Sequence, residues 1–297
     1  MNEAIGTVLG KAVDYKLGYN PEILVKIDRQ ENRNHIGLSG NSLPFTGYDV
    51  WHCYEATFLV NGIPVNGLMK IIIPATSKYT VESKSLKLYL FGFAMSNLGI
   101  DLNSGIQEYT STIRGDLQEL LGAQIAVYFE LSCGGGYTPA YINNADDLTV
   151  FLPWEETSND LRYTESPFLL ELEEETYGNI RGTARYKYDG LRSNCRVTNQ
   201  PDYGTIYIEY SGKRTLLPTS LVKYLISFRN ENHFHEEIVE TVYARLLEKL
   251  QPDYLNVTAF YTRRGGIDIC PTRTLNDANC FNSTLLCPTF FGKEIRS

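Results

Sequence analysis

Two hydrophobic rhythms alternate along this chain, and each predicts a different element. In the first third, "CYEATFLV" (53–60) and "VNGLMKIIIPA" (65–75) are rich in β-branched and aromatic residues and flank "NGIP". An Asn-Gly pair between two such runs predicts a tight hairpin, because both turn positions need residues that tolerate positive φ. From Lys84 the spacing changes: Leu86, Leu90, Phe93 and Asn97 fall on one helical face. "AQIAVYFEL" (123–131) reads as strand again. In the last third, "GTIYIEY" (204–210) alternates as a half-buried strand does. In "FHEEIVETVYARLLEKL" (234–250), Ile238, Val242, Leu246 and Leu250 make an apolar stripe, and Gln251-Pro252 ends the helix. "LNVTAFYTRRGGIDI" (255–269) reads as a last strand running into a Gly-Gly turn.

Between these regions, residues 151–181 are rich in acid, Ser and Thr and read as a connecting segment with a solvated charge run. The chain therefore divides into residues 1–150, the acidic connector 151–181, and residues 182–297. Each half predicts a small antiparallel sheet with helices on one face, an α+β arrangement.

Composition narrows the function. The 297 residues carry a formal charge of −8, which argues against a broad nucleic-acid surface. A small anionic cofactor needs only a few local cations and stays possible. The N-terminal stretch has no continuous apolar core, so it is not read as a secretory signal, and "LMKIIIPA" is too short to span a bilayer. A cytoplasmic protein with mostly reduced thiols is expected. The six cysteines, at 53, 133, 195, 270, 280 and 287, include no C-x-x-C pair. A zinc cluster of Cys270, Cys280 and Cys287 would have wide spacings and no evident fourth ligand, so buried or idle thiols are the favoured reading.

Candidate chemistry sits in four short stretches. Cys195 lies in a polar loop, "RSNCRVTNQPDYG", between Arg192 and Arg196, which would favour its thiolate. Nucleophile, metal ligand and spare thiol all remain open from these residues alone. Asp202, seven positions on, is either an acid or a turn-capping carboxylate in "PDYG". "FHEE" opens a helix without a second histidine for a zinc site. Glu236 there is a solvated first-turn carboxylate or the acceptor of a guanine-like N1–H and amino edge. "ESKSLK" (82–87) starts a helix that Glu82 or Ser83 can cap, with Lys84 and Lys87 on one face suited to phosphate. "TRRGG" (262–266) adds Arg263 and Arg264 beside flexible glycines. "CGGGY" (133–137) lacks nucleotide-loop spacing and reads as a plain loop.

Taken together, "ESKSLKLYL", "SNCRVTNQPDYG", "SFRNENHFHEE" and "YTRRGGIDI" resemble the NADPH-dependent 7-cyano-7-deazaguanine reductases, nitrile reductases of queuosine biosynthesis, in their two-module form. "FTGYDVWHCYEATFLVNGIP" and "LGKAVDYKLGYNPEIL" resemble the N-terminal module of that form. The resemblance implies a tunnelling fold, two modules per chain, a homodimer and no metal. It implies that Cys195 adds to the nitrile carbon as a thioimide and that Asp202 protonates the nitrile nitrogen. Asp202 would have to be protonated when substrate binds, a state that burial favours. The resemblance makes Val81, Glu82, Ser83, His235 and Glu236 substrate contacts, and Ser83, Lys84, Arg264 and Gly265 NADPH contacts. Two other readings are a zinc-dependent cyclohydrolase of the same fold, with the metal at Cys195 and His235, and a silent deazapurine-binding module.

Overall fold

The computed structural model describes residues 18–38, 42–131, 145–152, 161–173, 182–275 and 285–288. Its strands are β1 (Lys26–Asp28), β2 (Thr46–Val60), β3 (Ile63–Pro74), β4 (Tyr79–Val81), β5 (Ala126–Leu131), β6 (Asp146–Asp147), β7 (Gly182–Cys195), β8 (Pro201–Gly212), β9 (Asn232–His233), β10 (Tyr254–Tyr261) and β11 (Ile267–Leu275). The helices are α1 (Gln30–His35), α2 (Ser83–Phe91), α3 (Leu102–Leu121), α4 (Pro218–Ile226) and α5 (His235–Leu250). The architecture is α+β, as the sequence predicts.

The strands of the two halves do not form separate sheets. They run in one sheet in the order β5-β3-β2-β11-β10-β8-β7-β6, with β9 beside β7, while β1 and β4 pair separately. The seam is the antiparallel pairing of β2 with β11, from Ile267 against Cys53 to Thr274 against Thr46. The predicted β2–β3 hairpin turns at Asn61 and Gly62, both at positive φ (51° and 79°). "LNVTAFYTRRGGIDI" turns at Gly265 and Gly266, at 54° and 77°, and continues into a further strand. The expected last strand is thus β10, and β11 follows it as the central strand of the sheet. Its polar residues Asp268, Thr272 and Arg273 break the apolar pattern that would have marked it.

Strand alternation sorts the side chains into two layers. Trp51 and Cys53 of β2, Met69, Ile71 and Ile73 of β3, and Ile267 and Ile269 of β11 pack with α2 and α3. Ile206, Ile208 and Tyr210 of β8 and Leu255, Val257, Ala259 and Tyr261 of β10 pack with α4 and α5. Val257 pairs with Arg273, on the same face of β11 as Ile267 and Ile269, so the four longer helices share one side of the sheet. The opposite face carries a smaller cluster of Val50, Ile72, Tyr207, Phe260, Cys270 and Leu285.

The apolar stripe of α5 is buried as predicted, and Gln251 ends the helix in the left-handed region. α2 stops at Phe91, short of the predicted reach to Asn97. Asn97 instead bridges to Leu59 and accepts a hydrogen bond from the Gly62 amide (2.8 Å). The 20-residue α3 went unnoticed in the sequence, although Tyr109, Ile113, Leu117 and Leu121 recur every four residues and all are buried. Asp101 caps it, accepting from the Ser104 amide at 2.8 Å. Of the acidic connector, residues 161–173 are described. There Glu165 accepts hydrogen bonds from Tyr224 and Arg245, both at 3.1 Å, so this part docks onto α4 and α5 rather than standing in solvent.

Gly47 marks the tightest point of the seam. Its φ is +149°, and a Cβ there would lie 2.1 Å from the Thr272 carbonyl oxygen. Gly47→Ala is expected to destabilise the chain by at least about 2 kcal/mol in urea unfolding, through backbone strain and overlap at a paired strand. A loss under about 0.5 kcal/mol would show that the seam yields at no cost.

Candidate active site

A single pocket gathers most of the predicted site residues. Thr80 to Lys84 line it from the β4–α2 junction, with Ile27 and Trp51 beside them. Cys195, Val197, Thr198 and Asp202 come from the β7–β8 hairpin, His233 to Glu236 from the start of α5, and Thr262, Arg264, Ile267 and Ile269 from the β10–β11 hairpin. Val81, Glu82, Ser83, Lys84, Cys195, Asp202, His235, Glu236 and Arg264 therefore meet, although nearly two hundred positions separate the extremes. Gly265 forms the adjoining turn. A Cβ there would meet the Lys87 Nζ at 2.7 Å, so the turn packs on the Lys87 side chain.

Cys195 is the last residue of β7 rather than part of a loop. The strand was hidden by its polar sequence, which pairs with β8 from Gly182 to Asn194. Ser193 pairs with Asp202 across this hairpin, so Cys195, two residues on, shares their face. Diagonal neighbours in a sheet lie about 7–8 Å apart. Cys195 is half-buried, whereas Cys53 is buried in the core, where burial pushes its thiol up. The two flanking arginines are engaged elsewhere: Arg192 donates to the Arg229 carbonyl and to Asn194, and Arg196 pairs with Glu237 (2.8 Å).

The Asp202 side chain is only 3% exposed. Its Oδ1 lies 3.0 Å from Arg264 Nη2 and 3.4 Å from His235 Nε2. The His235 ring stacks flat on Tyr261, with centroids 3.8 Å apart and planes 6° from parallel, which fixes the imidazole edge toward Asp202. Arg264 also donates to the Pro201 carbonyl. Its neighbour Arg263 turns away and lies over the Tyr54 ring, 4.3 Å from the centroid. Of the two arginines in "TRRGG", the first thus packs on a tyrosine and the second faces the pocket.

Glu82 is the cap of α2: its carboxylate accepts from the Lys84 amide (2.9 Å) and the Ser85 amide (2.7 Å). Its position at the pocket wall follows from this cap. Glu236 is buried at the first turn of α5 and accepts a hydrogen bond from Thr80 (3.2 Å). Burial, and then the nearby Asp49 carboxylate, raise its pKa above the ordinary glutamate value. Thr80 and Trp51 line the same pocket and escaped the sequence reading, since neither sits in a chemical motif.

Among the described residues, one group of three metal-ligating side chains lies within mutual reach, and it is not in this pocket. His52, Asp268 and Cys270 meet on the opposite face of the sheet. The His52–Asp268 distance of 2.8 Å and the Tyr54–Asp268 distance of 2.6 Å are those of ordinary hydrogen bonds. Lys70, whose pKa burial pushes down to about 8, stands close by. Of the three late cysteines, Cys270 is buried, Cys287 is exposed, and Cys280 lies outside the described residues, as does "CGGGY".

The fold and pocket define a class: an α+β protein with a pocket that sets a half-buried thiol beside a buried acid, with cations at its edge. Comparison with known proteins makes the assignment specific. A family model described as the N-terminal part of nitrile reductase, 7-cyano-7-deazaguanine reductase, matches residues 15–129, and one described as QueF-like protein matches residues 201–279. A Rickettsia canadensis protein named NADPH-dependent 7-cyano-7-deazaguanine reductase is 39% identical over 91% of this chain and 93% of its own. Its namesake from Dechloromonas aromatica is 37% identical over 91% and 90%. The chain belongs to the NADPH-dependent 7-cyano-7-deazaguanine reductase family. A crystal structure of the archaeosine synthase QueF-Like in the apo form aligns with 35% of this chain at 19% identity and a TM-score of 0.29, too small an overlap to bear on the fold.

The cap geometry gives a direct expectation. Glu82→Ala removes both acceptors from the first turn of α2 and should cost about 1 kcal/mol in urea unfolding. Glu82→Gln should cost less, because its amide oxygen still accepts. Equal losses for the two variants would show that the capping bonds do not stabilise α2.

Proposed function

We propose that this chain reduces the nitrile of 7-cyano-7-deazaguanine to the aminomethyl group of 7-aminomethyl-7-deazaguanine with two equivalents of NADPH, as a step in queuosine tRNA modification. The observation that carries this reading is the placement of Cys195 and Asp202 on one face of a single hairpin, both lining the same pocket. Membership of a family whose relatives carry the same activity in their names supports it.

The residues divide the work as follows. The Cys195 thiolate attacks the nitrile carbon, and negative charge develops on the nitrogen. Asp202 delivers a proton to that nitrogen, giving a neutral thioimide, a better hydride acceptor than the nitrile. NADPH, when bound, supplies one hydride to the thioimide carbon and, from a second molecule, one to the imine carbon. Between the two reductions the thiohemiaminal expels the Cys195 thiolate. Glu236 accepts the N1–H and amino hydrogens of the ring, and His235 stacks on Tyr261 where it can orient Asp202. Lys84 and Arg264, with the open backbone at Gly265, suit the phosphates of the cofactor.

The finer assignments belong to the same proposal: a tunnelling fold of two modules, a homodimer and a cytoplasmic location. Among the described residues, no helix is long and apolar enough to cross a membrane.

The test is intact mass under denaturing conditions after mixing the protein with 7-cyano-7-deazaguanine and no NADPH. An increment equal to the whole substrate is expected, and Cys195→Ala should abolish both the increment and NADPH oxidation. A wild-type protein that binds the deazapurine without gaining mass would be a binding module instead.

Asp202→Asn separates acid from scaffold. The amide keeps the shape but cannot supply the proton, so adduct formation followed by stopped flow should slow by roughly two to four orders of magnitude while substrate still binds. Fast adduct formation with a lowered melting temperature would make Asp202 a structural residue only.

A further inference from the structure

Directly beneath the pocket lies a cluster of buried charges that the mechanism above does not use. Asp49 of β2 pairs with Arg29, at the start of α1, and with Arg273 of β11 (2.9 Å). Glu240 of α5 pairs with Arg273 (2.9 Å) and Arg33 of α1 (2.8 Å). All five are at most 6% exposed. Three guanidinium groups thus share two carboxylates, which leaves one positive charge in a buried setting, where an uncompensated charge is costly. Glu236, one helical turn before Glu240 and 5% exposed, is the third carboxylate. It lines a small cavity together with Arg29, Thr80 and Glu240, and the Arg29 Nε there has no hydrogen-bond partner. With Glu236 ionised the cluster is neutral; with Glu236 protonated it is not.

We propose that this cluster holds Glu236 as a carboxylate, and that Arg29 is thereby a positioning residue for recognition of the guanine-like edge. The inference rests on the reading of Glu236 as the ring-edge acceptor. A carboxylate can accept both the N1–H and the amino hydrogen, whereas a protonated carboxyl turns one of its oxygens into a donor facing a donor. Burial and Asp49 push Glu236 toward the protonated form, and the positive charge of Arg29 and then of His235 opposes them. The other groups around it are Thr80 on β4, Tyr261 on β10, Asp202 on β8, Arg273 on β11, and Glu240 on α5 with Arg33 beside it. Asp28 and Glu237 are the other charged residues of the cavity wall. Of the two cations that favour ionised Glu236, Arg29 and His235, only Arg29 takes no part in another proposed step.

The sign of the expected response follows. Binding needs ionised Glu236, so affinity is full above its folded pKa and falls about tenfold per pH unit below it. Arg29→Met removes a stabilising positive charge and should move the midpoint up, weakening binding at neutral pH and restoring it in alkali. Asp49→Asn removes an opposing negative charge and should move the midpoint down. Both variants break the same ion pair and both destabilise the fold, so damage alone predicts the same direction for each.

The experiment measures the dissociation constant of 7-deazaguanine, which has the edge but no nitrile, across pH for the wild type, Arg29→Met, Arg29→Lys and Asp49→Asn. Midpoints displaced in opposite directions by Arg29→Met and Asp49→Asn, with Arg29→Lys near the wild type, support the proposal. Equal weakening at every pH, or midpoints that move together, overturns it. Should the variants not fold, the wild-type-minus-Glu236→Gln difference infrared spectrum decides: a carboxylate signal at neutral pH supports the proposal and a protonated carboxyl signal overturns it. Because the probe cannot form a thioimide, a failure of the nitrile chemistry would appear in the mass experiment and leave this result standing.

Discussion

Eight consecutive antiparallel pairs between β2 and β11 hold this molecule in its working shape. Among the described residues they are the longest pairing between strands of residues 1–150 and 182–297, and the pocket lies over the helix-bearing face beside them. Through β2 the seam carries Trp51 and Asp49, and through β11 it carries Ile267, Ile269 and Arg273. Trp51, Ile267 and Ile269 of the pocket lining, and Asp49 and Arg273 of the charge cluster, are therefore set by one register. A slip of one residue would send Arg273 and Ile269 to the opposite face and replace them with Thr272 and Asp268.

That register also explains why a charge cluster can sit in the core at all. Desolvating an ion pair costs several kcal/mol per ion, and the geometry must be close to complete to repay it. Here Arg273 bonds both Asp49 and Glu240 and lies between β2 and α5. The cluster ties the seam to the helix that presents His235 and Glu236. Its contacts join β11 and β2 to α5, whose first turn carries His235 and Glu236.

The proposed chemistry rests on a simpler device, a hairpin. Cys195 and Asp202 need no long-range contact to face the same way, since strand pairing alone aligns them. Long-range structure supplies the surroundings: the stacked His235–Tyr261 pair beside Asp202, and Lys84 brought over from the first half by the Glu82 cap. In the proposed mechanism, a nucleophile and acid on one hairpin, with binding groups on elements docked around it, would keep the reacting atoms fixed while ligands come and go.

Much of this was legible in the sequence. Asn61-Gly62 and Gly265-Gly266 mark their turns because few other residues tolerate positive φ, and the stripe of α5 is a period that only a helix satisfies. The motifs around Glu82, Cys195, His235 and Arg264 could be picked out one by one, and their resemblance to a family named the chemistry. β7 was not legible as a strand, because a polar strand beside a pocket lacks the alternation that burial on one face imposes. Nor could the sequence show that Glu82 caps a helix in preference to Ser83, that Arg192 and Arg196 bond away from the cysteine, or that three arginines and two carboxylates from four distant segments would meet beneath Glu236. Local patterns decide backbone conformation, because turns and amphipathic faces are short-range. The pairing of buried charges depends on register across the β2–β11 seam, and only the folded chain determines that.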